Sequence, residues 1–104
     1  MNSIKVSIII PVYNEEKTIL KIIKKILKLR YINKELIVVN DGSTDNTKRL
    51  LRAFSNKRIR IINHNKNLGK GAAIRTAQKH ITGTHVIIQD ADLEYEPTDY
   101  KNLL

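Results

Sequence analysis

Continuous apolar runs alternate regularly with helical patterns along this chain, and that alternation narrows its fold most. The runs lie at about residues 5–10, 35–40, 58–63 and 85–89. They read as continuous rather than alternating, as expected for strands covered on both faces. Three helical patterns separate them. The first runs from Glu16 to Leu29, with Asn14 as its N-cap. The second runs from Asp45 to Phe54, with cap candidates in Ser43 to Asp45 and with Leu50 and Leu51 turned inward. The third runs from Lys70 to Ile81 and stops near Gly83. Strands alternating with helices through short connections predict βαβ units and a parallel sheet. The expected fold is therefore α/β: a Rossmann-like three-layer sandwich of about four parallel strands with helices on both faces. No repeat, low-complexity tract or linker divides the sequence, so residues 1–104 read as one domain with a modest core. Glu94 to Leu104 read as the start of a further loop and helix, with Pro97 near its beginning. The chain is thus expected to be the first part of a larger unit.

Three acidic clusters follow three of the runs: Pro11-Val12-Tyr13-Asn14-Glu15, Asp41-Gly42-Ser43-Thr44-Asp45 and Asp90-Ala91-Asp92. Of ten acidic residues, all but Glu35 lie in or shortly after these clusters, in a chain of formal net charge +9. Open parallel sheets bind ligands outside the carboxyl ends of their strands. Loops that gather negative charge there suit a divalent cation and the phosphates it carries.

Each cluster also has a purely structural use. Asp90 and Asp92 form a D-x-D pair that, with Glu94 in step, can share Mg²⁺ or Mn²⁺ and bridge it to a diphosphate. The same acids can cap a following helix. Asp41 can accept from a nucleoside base or ribose, while Gly42 to Asp45 also make an ordinary turn and cap. Tyr13 can pack against a base and Glu15 can accept from its polar edge, although Glu15 and Glu16 also suit a helix N-terminus. Asn67-Leu68-Gly69-Lys70-Gly71 fails the Walker A pattern, because Gly71 stands where Ser or Thr is needed. It fails G-x-G-x-x-G at Ile74. It remains a glycine-rich helix entry whose N–H groups and Lys70 suit an anion.

Other chemistries find little support. Cysteine is absent and there is no G-x-S-x-G, which removes thiolate metal sites and covalent hydrolase chemistry. His64, His80 and His85 share no metal-like spacing and read as structural or surface residues. Lys21, Lys24, Lys25 and Lys28 lie opposite Ile19, Ile22, Ile23 and Ile26 on one helix, the solvated side of an amphipathic element that also suits anionic lipid headgroups. A nucleic-acid partner is not expected, since no aromatic pair is spaced for base stacking. No apolar run reaches the ~20 residues of a membrane span, and no signal-peptide layout opens the chain. The expected location is the cytoplasm or the cytoplasmic face of a membrane.

Taken in order, Ile10-Pro11-Val12-Tyr13-Asn14-Glu15, Val39-Asn40-Asp41-Gly42-Ser43-Thr44-Asp45, Asn67-Leu68-Gly69-Lys70-Gly71 and Gln89-Asp90-Ala91-Asp92-Leu93-Glu94-Tyr95 closely resemble the N-terminal half of the family 2 glycosyltransferases, which have the GT-A fold. The resemblance spans essentially the whole chain. Its last two blocks are most similar to the branch of dolichyl-phosphate mannose synthase and related polyprenyl-phosphate glycosyltransferases. It implies a UDP- or GDP-linked sugar donor, a divalent metal and transfer with inversion to a polyprenyl (dolichyl or undecaprenyl) phosphate. It implies that Pro11, Tyr13, Glu15 and Asp41 hold the nucleoside, with Lys70 near the nucleotide. Asp90 would lie by the ribose, metal and diphosphate, and Asp92 and Glu94 would ligate the metal. The general base and acceptor residues are expected beyond Leu104, so the isolated chain is expected to bind donor without transfer and to self-associate. The alternative is a non-catalytic nucleotide- or metal-binding module that works with a partner chain.

Overall fold

The structure, a computed structural model, describes residues 4–54 and 58–92. Strand β1 (Val6–Val12) leads to helix α1 (Ile19–Leu27), then β2 (Lys34–Asn40), α2 (Thr47–Leu51), β3 (Ile59–Asn63), α3 (Lys70–Gln78) and β4 (His85–Ile88). The strands form one sheet in the order β3-β2-β1-β4, and every pair is parallel. Parallel neighbours need crossovers, which the helices provide.

Residue parity along β1 divides the core into two layers. Ile8, Ile10 and Val12 join Leu36 and Val38 of β2 beneath α1 and Leu51 of α2. Helix α1 presents Ile19, Ile22, Ile23 and Ile26 to them, all fully buried at helical spacing. Lys21, Lys24, Lys25 and Lys28 of the same segment are exposed. On the other face, Ile9, Ile37 and Val39 meet Ala73 and Ala77 of α3. Those small side chains let the third helix approach the sheet closely. The three-layer α/β expectation therefore holds.

The strand order changes direction at β1. From there the chain steps outward to β2 and β3, then returns to place β4 on the opposite side of β1. Such a switch point opens a crevice at the carboxyl ends of the strands. The opposite end is closed by polar contacts. Ser7 Oγ donates to Glu35 Oε2 at 2.6 Å, the Thr82 N–H reaches the same oxygen at 2.8 Å, and the Gly83 N–H reaches Ser7 Oγ at 2.9 Å. Burial alone would raise the carboxyl of Glu35, but the Ser7 and Thr82 donors and nearby Lys5 hold it below the usual range. Glu35, the acid set apart from the clusters, thus fastens the α3–β4 connection to β1 and β2.

Several boundaries differ from the sequence expectations. Strand β1 continues through Pro11 to Val12 instead of ending before them. Pro11 shares the parity of Ile9, whose carbonyl accepts from the Gln89 N–H at 2.8 Å, so its nitrogen turns toward the β4 side. Since β4 ends at Ile88, no ladder bond is lost there. Helix α1 begins at Ile19 rather than Glu16, and Asn14 is not its N-cap. Helix α2 is also shorter than expected, and α3 ends at Gln78. Among the described residues strand β4 is covered on one face only: Ile87 packs under the α1 layer, while Val86 and Ile88 on the α3 side are 48% and 47% exposed. The loop and helix expected over Glu94 to Leu104 lie outside the described residues.

Candidate nucleotide site

A cavity of about 320 Å³ opens at the carboxyl ends of β1, β2 and β4. Pro11, Tyr13, Glu15, Asp41, Lys70, Asp90 and Asp92 all line it. These are all the sequence-predicted site residues except Glu94, which lies outside the described residues. Four segments contribute to its wall: the end of β1, the loop after β2, the entry to α3 and the loop after β4.

Asp41 is the most constrained of the set, with a side chain only 4% exposed. Its Oδ1 accepts from His64 Nδ1 at 2.8 Å and from the Leu68 N–H at 2.9 Å; its Oδ2 accepts from the Gly69 N–H at 2.8 Å. Burial by itself would raise this carboxyl. The His64 ring and the two N–H groups outweigh it and hold the group below the usual carboxylate range. A carboxylate offers about four lone-pair positions, so the remaining acceptor capacity lies on Oδ2. The aspartate both pins the 64–69 loop and presents an acceptor to the cavity.

The turn after β2 needs its glycine. Gly42 has φ +71°, and a Cβ there would lie 2.3 Å from the Lys66 carbonyl carbon and 2.4 Å from the Asn67 nitrogen. The turn thus presses directly on the neighbouring loop. Gly69, at φ +102°, caps α3 in a conformation that L side chains rarely adopt, and this aims its N–H at Asp41.

Asn14 has a different task from the expected cap. With φ +52°, it accepts at Oδ1 from the Thr44 N–H at 2.8 Å and the Asp45 N–H at 3.3 Å, and donates from its own N–H to Ser43 Oγ at 2.9 Å. Asp45 answers by accepting from the Thr47 N–H at 2.9 Å and the Glu16 N–H at 3.3 Å. Thr47, fully buried, accepts the Glu15 N–H at 3.1 Å. The first two acidic loops are therefore laced together, which sets Tyr13 and Glu15 on the rim. Tyr13 is 44% exposed, its ring available to a ligand. Thr18 Oγ1 donates to the Ala91 carbonyl and ties the third loop to the start of α1.

The third loop presents hard oxygen donors. Lys70 Nζ donates to Asp90 Oδ1 at 2.6 Å, so a cation already sits against that carboxylate. Asp92 is exposed on the same wall. Among the described residues no three acids or histidines gather into a ready-made metal cage. Mg²⁺ takes one or two carboxylates and completes its shell with water and phosphate oxygens, so Asp90 and Asp92 could hold such a cation. The donor set suits Mg²⁺ or Mn²⁺ arriving with a diphosphate.

Sequence reasoning missed three contributors. His64 joins Asp41 to α3 through Thr76, Asn14 laces two loops, and Asn67 lines the cavity. The Asn-x-Gly-Lys segment hinted at Asn67; nothing local pointed to His64, whose partner lies 23 residues away.

Comparison with known proteins agrees with the fold. The model of glycosyl transferase family 2 matches residues 7–104. A UDP-Glc:alpha-D-GlcNAc-diphosphoundecaprenol beta-1,3-glucosyltransferase of Escherichia coli is 39% identical over 92 residues, covering 88% of this chain and 36% of that protein. A dolichyl-phosphate beta-glucosyltransferase of Trichomonas vaginalis is 33% identical over 111 residues, covering 97% and 34%. The S. aureus protein TarS in complex with UDP-GlcNAc superposes with a TM-score of 0.82 at 29% identity, over 95% of this chain and 30% of that one. The mannosyltransferase PcManGT of Pyrobaculum calidifontis, in complex with GDP-Man and Mn²⁺, gives 0.77 at 31% identity, over 88% and 28%. The chain spans about a third of the length of each of these proteins. With residues 7–104 matched by the family model and 95% of the chain superposed on TarS, this chain belongs to glycosyltransferase family 2.

Proposed function

We propose that this chain forms the donor side of a sugar transferase, binding a nucleotide sugar together with a divalent cation. One observation carries the reading: Pro11, Tyr13, Glu15, Asp41, Lys70, Asp90 and Asp92, on four separate segments, line one cavity. Tyr13 offers an aromatic face and Asp41 Oδ2 an acceptor, which suits a nucleobase or ribose with a donor on its edge. The start of α3 and the Lys70 ammonium supply positive charge where a diphosphate would lie. Asp90 and Asp92 would hold the cation, which when bound neutralises diphosphate charge and eases departure of the nucleoside diphosphate. A relative named as a dolichyl-phosphate beta-glucosyltransferase supports a polyprenyl-phosphate acceptor. Such an acceptor is already an anion and asks less of a general base. The acceptor-side residues belong, by the family resemblance, after the matched stretch, and transfer is expected only in their presence. No helix among the described residues is long and apolar enough to cross a membrane. The lysine face of α1 suits peripheral contact with anionic lipid.

Calorimetric titration with UDP and GDP, each with and without Mn²⁺, tests the donor reading. Binding of one nucleotide is expected to require the cation. Asp92→Ala should weaken it by about 1–3 kcal/mol, the cost of a lost charge-assisted contact. Equal affinity of wild type and Asp92→Ala in Mn²⁺ buffer would refute the assignment.

A further inference from the structure

We propose that His64 is a positioning residue for the nucleotide site: it fixes the rotation of the Asp41 carboxylate, so that Oδ2 keeps its remaining acceptor position for the ligand. The inference rests on the reading of Asp41 as a nucleoside contact. His64 directly follows β3, and its N–H donates to the Asn40 carbonyl at 2.9 Å, extending the β2–β3 ladder by one residue. That register brings the ring beside Asp41, the next residue after Asn40. The ring bridges two layers of the fold. Nδ1 lies 2.8 Å from Asp41 Oδ1, and Nε2 lies 2.8 Å from Thr76 Oγ1 on α3.

The protons on this chain of contacts follow from chemistry. Asp41, its carboxyl held below the usual range, is an acceptor without a proton of its own. His64 Nδ1 therefore carries the hydrogen. In the neutral ring Nε2 is then the acceptor, and the Thr76 hydroxyl donates to it. With the ring neutral, donation runs one way, from Thr76 through His64 to Asp41. Without the ring, Oδ1 keeps the Leu68 N–H and Oδ2 the Gly69 N–H. The loop keeps two of its tethers, while the carboxylate loses the side-chain contact that ties it to α3 and restrains its plane.

Two substitutions separate positioning from general support. In His64→Asn the amide nitrogen can replace Nδ1 and still donate to Asp41. In His64→Gln the longer side chain reaches toward Thr76 instead. Titration of the 104-residue chain with UDP and GDP in Mn²⁺, alongside its unfolding midpoint, gives the readout. His64→Asn should keep nucleotide affinity within about threefold of wild type. His64→Gln and His64→Ala should lose about tenfold to a hundredfold, as for a hydrogen bond to a charged group. Equal affinities for the Asn and Gln variants would overturn the proposal, as would wild-type affinity in the Ala variant. A wild type that binds neither nucleotide would overturn the donor-site reading, and this inference with it. Should the ring replacements unfold, Thr76→Val keeps His64 and removes its proton donor. It is expected to weaken nucleotide binding several-fold, on the scale of one neutral hydrogen bond, and unchanged affinity in that variant would refute positioning through the ring.

Discussion

Replacing Asp41 with Asn tests whether one carboxylate holds the site together. The wild-type group accepts from three donors, two on Oδ1 and one on Oδ2, within a side chain 4% exposed. The amide keeps one oxygen, which can still accept from His64 and Leu68. Its nitrogen then faces the Gly69 N–H, donor against donor. Two losses follow: the charge-assisted part of the bonds that remain, and a stranded backbone donor at the entry to α3. Hydrogen bonds to charged groups contribute about 1.5–3 kcal/mol and an unsatisfied buried donor costs about 1–3 kcal/mol, so a destabilisation of about 2–4 kcal/mol is expected. Urea denaturation at neutral pH measures it as a lower midpoint at unchanged slope. The pH dependence gives a second, independent readout. The Asp41 carboxyl is held below its ordinary value in the folded chain, so its contribution is fully present above the unfolded value and is lost as pH falls through the folded one. The gap between wild type and Asp41→Asn should therefore narrow on acidification. A gap below about 0.5 kcal/mol at neutral pH, within the range of ordinary surface substitutions, would refute the reasoning, as would a gap that widens in acid.

Three further outcomes follow from particular contacts. Gly42→Ala combines a left-handed φ with a Cβ 2.3 Å from the Lys66 carbonyl carbon, and should destabilise by about 2–4 kcal/mol in urea melts. Asp45→Ala removes the acceptor for the Thr47 and Glu16 N–H groups and should cost about 1–2 kcal/mol, as lost helix caps do, measured the same way. Among the described residues β4 ends the sheet and Val86 and Ile88 form an exposed apolar strip on it, so the chain should self-associate in light scattering, and Ile88→Lys should shift it toward monomer.

The layout of the fold was legible because it depends on patterns that are local in sequence. The unbroken apolar runs of β1 and β2 announced strands covered on both faces, and the isoleucine stripe of α1 announced its buried side. The place of the site was legible for the same reason: parallel topology brings the loops after β1, β2 and β4 to one end, whatever their side chains then do. The work of single residues was not legible, because the contacts that define it are distant in sequence. Asn14 looked like a cap for the next helix, yet its partners lie 29 to 31 residues on. The same applies to His64 and Asp41, 23 residues apart. Three clusters that looked alike in sequence therefore divide by their partners. The carboxylates of Asp41 and Asp45 accept backbone N–H groups of the chain itself, and so assemble the loops. Asp90 meets a lysine side chain that is 59% exposed, and a side-chain ammonium can turn aside for an incoming cation where a backbone N–H cannot. The proposed uptake of a metal and its phosphates would use carboxylates of both kinds, one set to assemble the loops and the other to meet the cation.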